Sequence, residues 1–356
     1  MRSVSNCFAL LLLVLTLAAC GRQEPWRREA YVFGTRVEIL VQRSKDIDEN
    51  SAGTAMAEVL QEFDRLHRTY HAWQPSELTA LNTAIAEGQP QQVSTELAAL
   101  VTEAQKLAAS GDHLFDPGIG KLVALWGFQS DEIKSRLPDT AQLKSLVEQH
   151  PSIADLTVTG QLIQSKNRSV ALDFGGYLKG VALDTAAAKL RARGIRHALI
   201  NIGGNVMALG NRDGTDGGAA WRVGIQHPRA EQHGGLPLAS LELKDGEAVG
   251  TSGDYHRYFE INGQRYCHLI DPRSGKPAVG TQSVTILIPP GPSAGMRSDA
   301  LSKPIFIAAD QWRAMAKRLG VEAVLRVGAD DTPSATPAMK ARLKMEASDV
   351  VLEVQQ

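Results

Sequence analysis

The chain predicts an α+β fold: one large domain, helix-rich in its first half and strand-rich in its second, around a mixed or largely antiparallel sheet with flanking helices. Two observations carry this. Apolar residues recur at helical spacing through much of 51–109, whereas from 197 onward short β-prone runs alternate with Gly, Pro and Asn-Gly turns. A third is what is missing: no regular alternation of strand and helix, as a doubly wound sheet would need, and no internal repeat.

Taken in order, 31–41 alternates well enough for one strand. In 51–66, Ala55, Met56, Val59, Leu60, Phe63 and Leu66 fall on one helical face. Two more helices, 76–86 and 94–109, open on serine caps, and 143–149 is a shorter one. The strand-like 169–173 feeds, through Phe174-Gly-Gly-Tyr177, a helix over 179–193. Strands follow at 197–207, 221–226, 238–243, 257–261 and 283–288. A helix starts at 296–302, another covers 311–319, and 321–327 is a strand. The run 329–341, rich in Asp, Thr, Pro and Ala, reads as a surface loop before a strand-like 349–354.

The N-terminus reads as a processing segment. Arg2 is followed by an apolar run over 8–18, broken only by Thr16 and closed by Leu17-Ala-Ala-Cys20. That run is shorter than the roughly 20 residues a permanent span needs, and it fits a signal h-region. Leu-Ala-Ala-Cys resembles a bacterial lipobox, whose cysteine becomes the lipidated first residue; a plain signal peptide is the other reading. The expected division is a signal peptide at 1–19, a tether at 20–30 and one domain over 31–356. Lipidated Cys20 would hold that domain at the periplasmic face of a membrane. By resemblance to sorting rules, Gly21 in place of Asp points to the outer membrane over the inner one. Cys7 is lost with the signal, which leaves Cys267 without a disulfide partner.

A net charge of −1, no basic run and 5% aromatic residues argue against a nucleic-acid partner. Chemistry concentrates in four segments. In 248–277, turns at Ser252-Gly253-Asp254, Asn262-Gly263 and Ser274-Gly275 frame a hairpin whose second arm delivers His268, Asp271 and Arg273. Taken singly, these are charges on a surface hairpin; together they read as a reactive cluster. Cys267, facing opposite to His268 on a strand, reads as a packed small hydrophobe. Between strand and helix, Asp173, Gly175, Gly176, Lys179 and Gly180 suit close backbone approach to a phosphate, or an ordinary turn; spacing alone leaves the two even. Asp299, Ser302 and Lys303 share a helical face. There, a carboxylate with oxygen neighbours suits a hard cation, and an N-cap at Ser298 is the plainer alternative. Leu114-Phe115-Asp116-Pro117 places a carboxylate where it caps a helix. No Walker A, GxGxxG, GxSxG, CxxC pair or HExxH motif is present.

The run Thr251-Ser-Gly-Asp-Tyr255, with His268-Leu-Ile-Asp-Pro-Arg-Ser-Gly-Lys-Pro277, closely resembles the ApbE family, the FAD:protein FMN transferases. Further matches extend from Gly34 to Asp299. The resemblance implies a single ApbE-like domain. It also implies that Asp173 and Lys179 contact flavin nucleotide, that Ile270 lies against it, and that the Gly176 carbonyl and Asp299 are metal ligands. Leu114, Phe115 and Asp116 match a segment on the adenine or ribose side of FAD. Phe33 stands where relatives carry a flavin-packing methionine, and either Tyr70 or Trp73 supplies a flavin-facing aromatic. The family's Asp-Ala-Leu-Ala-Thr ends here in Ser302-Lys303. A protonated lysine has no lone pair to give. Three outcomes stay open: fewer protein ligands to the metal, a lysine turned away, or a lysine on phosphate in place of a second ion. Asp299 is the strongest metal candidate, with Ser302 secondary.

The implied activity is Mg2+-dependent transfer of FMN from FAD to a threonine or serine hydroxyl of an exported target flavoprotein, releasing AMP. The target would be a subunit of a membrane or periplasmic redox complex. His268, an imidazole titrating near neutral pH, is the candidate base, and Asp271 orients it or a nearby backbone. A periplasmic FAD pyrophosphatase and a non-catalytic FAD-binding lipoprotein are the alternatives.

Overall fold

The computed structural model describes residues 24–347, except 216 and 234, together with 351–354. The signal segment 1–19, Cys20 and the start of the strand expected over 349–354 lie outside the described residues. The fold is α+β and centres on a nine-stranded sheet whose strands sit side by side in chain order. They are β1 (Trp26–Val32), β2 (Thr35–Val41), β3 (Ala198–Ile202), β4 (Asn205–Leu209), β5 (Ala248–Gly253), β6 (Thr281–Ile288), β7 (Ala323–Gly328), β8 (Pro333–Ala335) and β9 (Glu353–Val354). Every neighbouring pair is antiparallel except β8 and β9.

Helices are inserted between these strands. Between β2 and β3 lie α1 (Glu49–Thr69), α2 (Glu77–Glu87), α3 (Thr95–Ser110), α4 (Gly120–Leu125), α5 (Thr140–Glu148) and α6 (Leu178–Ala192). Next come α7 (Ala294–Ile307) and α8 (Trp312–Arg318), both between β6 and β7, and α9 (Pro337–Lys340) after β8. Strand alternation sorts side chains into two cores. Ile200, Ile202, Met207, Val284, Ile286 and Val324 face the helices, among them Phe63, Leu183 and Phe306. Val206, Ala208, Val249, Leu287 and Leu325 face a second, three-stranded sheet built from 221–226, 237–243 and 343–345. The main sheet is therefore a middle layer with both faces buried.

Several expectations need correction. The single strand over 31–41 is a hairpin: Phe33 (φ 57°) and Gly34 (φ 68°) form its turn, the paired positive φ that joins two twisted strands most directly. That turn folds 26–32 back onto β2, so most of what reads as tether beyond residue 25 is an edge strand. The run 197–207 is likewise two strands, turned at Gly203 and Gly204. Residues 169–173 make one isolated bridge, Ile119 with Ala171, rather than a strand. The supposed loop 329–341 carries β8 and α9 because Thr336 caps that short helix through the Met339 N–H. The Asn-Gly hairpin forms as expected: Tyr258–Ile261 pairs with Gln264–Cys267, with Asn262 and Gly263 both at positive φ. Cys267 is buried in the helical core, and burial pushes its thiol up to about 12.

Candidate active site

Helix α7 is buried along nearly its whole length and carries Ser298, Asp299, Ser302 and Lys303 into the interior. Such a helix needs special support, since buried polar groups cost free energy unless paired. Asp184 on α6 supplies part of it. Its carboxylate accepts the Gly295 and Met296 N–H groups at 2.8 Å each, satisfying two of the unpaired donors at the start of α7. Burial raises the Asp184 carboxyl above its ordinary value, and these two bonds pull the other way.

Glycine sets how closely the neighbours approach. A Cβ at Gly180 of α6 would run into the Gly295 carbonyl, and one at Gly250 of β5 into the Ser298 carbonyl. Two residues along β5, Ser252 Oγ meets Ser302 Oγ at 2.7 Å, and Ser302 also donates to the Asp299 carbonyl.

This clasp leaves Asp299 fully buried and surrounded by donors. Its Oδ2 accepts the Gly180 N–H at 3.0 Å. Its Oδ1 accepts from the Lys303 ammonium at 2.7 Å, and the same ammonium donates to the Asp299 carbonyl at 2.7 Å. Lys179 Nζ stands 4.0 Å from Oδ1 and donates to the Gly175 carbonyl at 3.1 Å. Burial alone would raise the Asp299 carboxyl, but the two lysine charges and these hydrogen bonds hold it below the usual carboxylate value. Burial pushes Lys303 down, with Lys179 adding to the effect and Asp299 opposing it. Two ammonium groups against one carboxylate leave one positive charge of excess.

The arrangement does not fit a protein-held Mg2+ at Asp299. Both carboxylate oxygens already accept hydrogen bonds. A divalent ion about 4 Å from the ammonium would meet roughly 8 kcal/mol of repulsion at an effective dielectric of about 20. Ser302 is turned to Ser252. The lysine is not turned away either, since the stem of Lys303 lies across Gly176, where a Cβ would sit 3.1 Å from its Cε.

The loop before α6 is held from three sides. Asn82 clasps Leu172 with its side chain, donating to the carbonyl at 2.9 Å and accepting the N–H at 2.6 Å. Gln129 donates to Asp173 Oδ2, while Asp173 Oδ1 accepts the Gly175 N–H, both at 2.9 Å. Phe115 packs against Gly176 and towards Tyr177. Leu114 is buried beside it. Asp116 is spent on structure, though not as the cap expected of it, since α4 has no side-chain cap. Its carboxylate accepts from the N–H groups of Gly118 and Ile153, from Ser152 Oγ, and pairs with His113. No lone pair of Asp116 is left facing a ligand.

The hairpin cluster separates. His268 Nδ1 lies 3.2 Å from the Arg257 carbonyl, so a proton on Nδ1 leaves Nε2 as the acceptor. Burial, then the charges of Lys179, Arg257 and Lys303, push the imidazole down to about 3. It is therefore neutral at pH 7, well below the near-neutral titration the residue type suggests, and it lies in the electrostatic field of both lysines. Asp271 does not reach it; both carboxylate oxygens are engaged by Arg273, one also accepting the Arg273 N–H. Ile270 is buried and pairs with Pro277.

Of the aromatics, Tyr70 is 2% exposed and turned towards Phe174 in the core, so it presents no face to a ligand. Phe33, His67, His71 and Trp73 instead form a chain of rings with centroids 5.6, 4.9 and 4.6 Å apart. Trp73, 39% exposed, is its outer end.

The structure thus brings Gly176, Lys179, Asp299, Ser302 and Lys303 together, with Asp173 on the adjoining loop, Phe115 packed against that loop and His268 in range of their charge. It sets Tyr70, Asp116 and Asp271 apart. Asp184, Gln129 and Gly250 support the site without a local signature, and the role of Asn82 emerges only from its partner ninety residues on.

A buried acid flanked by lysines beneath a glycine-thinned loop is a site for an anionic, nucleotide-like ligand. Comparison with known proteins narrows the class. Residues 33–325 match the model of the ApbE family. A FAD:protein FMN transferase of Rhodobacter capsulatus is 40% identical over 315 residues, covering 88% of this chain and 57% of that protein. The chain thus spans little more than half that relative's length. The ApbE protein of Thermotoga maritima superposes with a TM-score of 0.78 at 28% identity, over 90% of this chain and 99% of that one. The flavin transferase ApbE from Vibrio cholerae gives 0.75 at 25%, over 90% and 99%. The chain belongs to the ApbE family.

Proposed function

We propose that this protein transfers the FMN part of FAD to a threonine or serine hydroxyl of an acceptor protein, releasing AMP. The observation that carries the reading is the pair of ammonium groups, Lys179 and Lys303, set on one buried carboxylate beside the Gly175–Gly176 backbone. That excess of positive charge suits the two negative phosphates bridging FMN and AMP. The acceptor hydroxyl oxygen forms the new bond to the FMN phosphorus. The bond from that phosphorus to the bridging oxygen breaks, and AMP leaves carrying that oxygen. The hydroxyl proton goes to Nε2 of His268, whose neutral state leaves it free to accept. Phe33 and Trp73 offer ring faces for the flavin, and Phe115 borders the loop that meets the phosphates. Mg2+, which the family resemblance implies, has no step here, because Lys303 holds the carboxylate it would need.

The Rhodobacter and Vibrio proteins bear names for this transfer, which supports assigning it here. Location follows from the leader: a lipid on Cys20 would place the domain at the periplasmic face, where exported redox subunits are acceptors. Fractionation of cells expressing wild-type and Cys20→Ala chains checks this; the variant should leave the membrane fraction. Incubating purified protein with FAD and an acceptor peptide tests the activity. Covalent FMN on the acceptor, seen by mass, supports transfer. Free FMN with AMP would mean hydrolysis, and intact FAD would mean binding alone.

A further inference from the structure

We propose that the Lys303 ammonium is this chain's own fixed cation for the bridging phosphates of FAD, standing where a divalent ion would otherwise share Asp299. The inference rests on the FAD reading above and adds that tight dinucleotide binding here does not require a metal held by the protein.

Four features converge on it. The ammonium is anchored at two points, 2.7 Å from Asp299 Oδ1 and 2.7 Å from the Asp299 carbonyl, so its position is set before any ligand arrives. Its stem crosses Gly176 closely, so that a Cβ there would sit 3.1 Å from Cε and the lysine would have to give by a few tenths of an ångström. Each carboxylate oxygen of Asp299 already has a protein partner, since Gly180 N–H donates to the one that Lys303 does not. Lys179 stands on the same carboxylate at 4.0 Å, so one acid cannot neutralise both charges and the excess faces the loop. With two of its three N–H donors held by Asp299, the lysine offers a phosphate oxygen its charge and the remaining donor. It also repels a cation that would compete for the same place.

The test measures FAD affinity by quenching of flavin fluorescence, in excess EDTA and in saturating Mg2+, for the wild type and for Lys303→Thr and Lys303→Arg. The wild type should bind FAD with affinities in the two conditions that agree within about twofold. Lys303→Thr should lose about 10- to 100-fold in EDTA, the worth of a charged hydrogen bond, and regain much of it with Mg2+. Lys303→Arg should stay metal-independent. A wild-type affinity that collapses in EDTA would overturn the proposal, as would a threonine variant indifferent to both the substitution and Mg2+. Should Lys303→Thr not fold, Mn2+ relaxation enhancement on the wild type decides. A signal no greater than that of Mn2+ with FAD alone supports a fixed ammonium, and a tightly held protein-bound Mn2+ refutes it. The same samples, given acceptor peptide, keep the two readings apart. FAD bound without transfer sinks the transferase reading while the binding pattern still decides the role of Lys303; no FAD binding in any condition sinks both.

Discussion

His268 shows how neighbours rather than residue type decide what a side chain can do. An imidazole in water titrates near neutrality, yet here burial and three nearby cations hold it at about 3. Arrival of an anionic pyrophosphate would cancel much of the charge from Lys179 and Lys303, so FAD should raise the His268 pKa. Histidine NMR titration with and without FAD checks the shift, and an unchanged or lowered value would contradict it. Because the free protein already carries neutral His268, kcat/KM should show no acidic limb near 6.5 arising from this group. His268→Ala should lower transfer by about a hundred- to ten-thousand-fold while FAD affinity holds. Loss of FAD binding in that variant would instead make His268 a binding residue.

At the scale of elements, the site depends on how deeply α7 is sunk between α6 and β5. Gly180, Gly250 and Gly295 are places where backbone meets backbone, and none of these backbone neighbours can yield as a flexible side chain would. Gly250→Ala should therefore cost at least about 1–3 kcal/mol, read as a lowered urea midpoint, and should weaken FAD binding by shifting Asp299. Asn82→Ala removes both hydrogen bonds that pin Leu172. It leaves a buried N–H and carbonyl unpaired, for about 1–3 kcal/mol, and loosens the loop that carries Asp173 and Gly176. An Asn82→Ala protein as stable as the wild type would show that the clasp is dispensable.

The whole molecule reports its histidines through pH. Desolvation holds buried His71, half-buried His67 and His268 and the more exposed His256 below the ordinary 6.5, whereas Asp116 raises His113. For the depressed group the unfolded chain takes up protons first as pH falls. Their contribution is intact above about 6.5 and is lost on the way towards 3, the value His268 reaches. The raised His113 works in the opposite sense, present at low pH and lost as pH climbs through its folded value, but it is one group against four. Stability should thus fall on acidification below about 6.5, and His268→Asn should make that fall shallower. Urea midpoints measured across this window, at constant ionic strength, provide the check; a steeper fall in the variant would contradict the burial argument.

Local pattern was enough for the α+β class, the early helices, the Asn262-Gly263 hairpin and the inert burial of Cys267, because periodicity and turn chemistry act within a few residues. The same short range explains the misreadings. Phe33-Gly34 and Gly203-Gly204 reverse the chain inside what look like continuous strands, and 169–173 finds only the single bridge to Ile119. Similarity to the family brought Asp299, Lys303, Gly176 and His268 into view as separate candidates. Only the packed structure decided that the lysine sits on the acid, that Asp116 and Asp271 are already engaged by neighbours, and that Tyr70 is core. Several of those partners are close in the chain, Lys303 four residues from Asp299 and Arg273 two from Asp271, but the surroundings that bury Asp299 come from far away, as when Gly180 meets it across 119 residues. Buried charges settle with whatever partner the tertiary fold brings within reach.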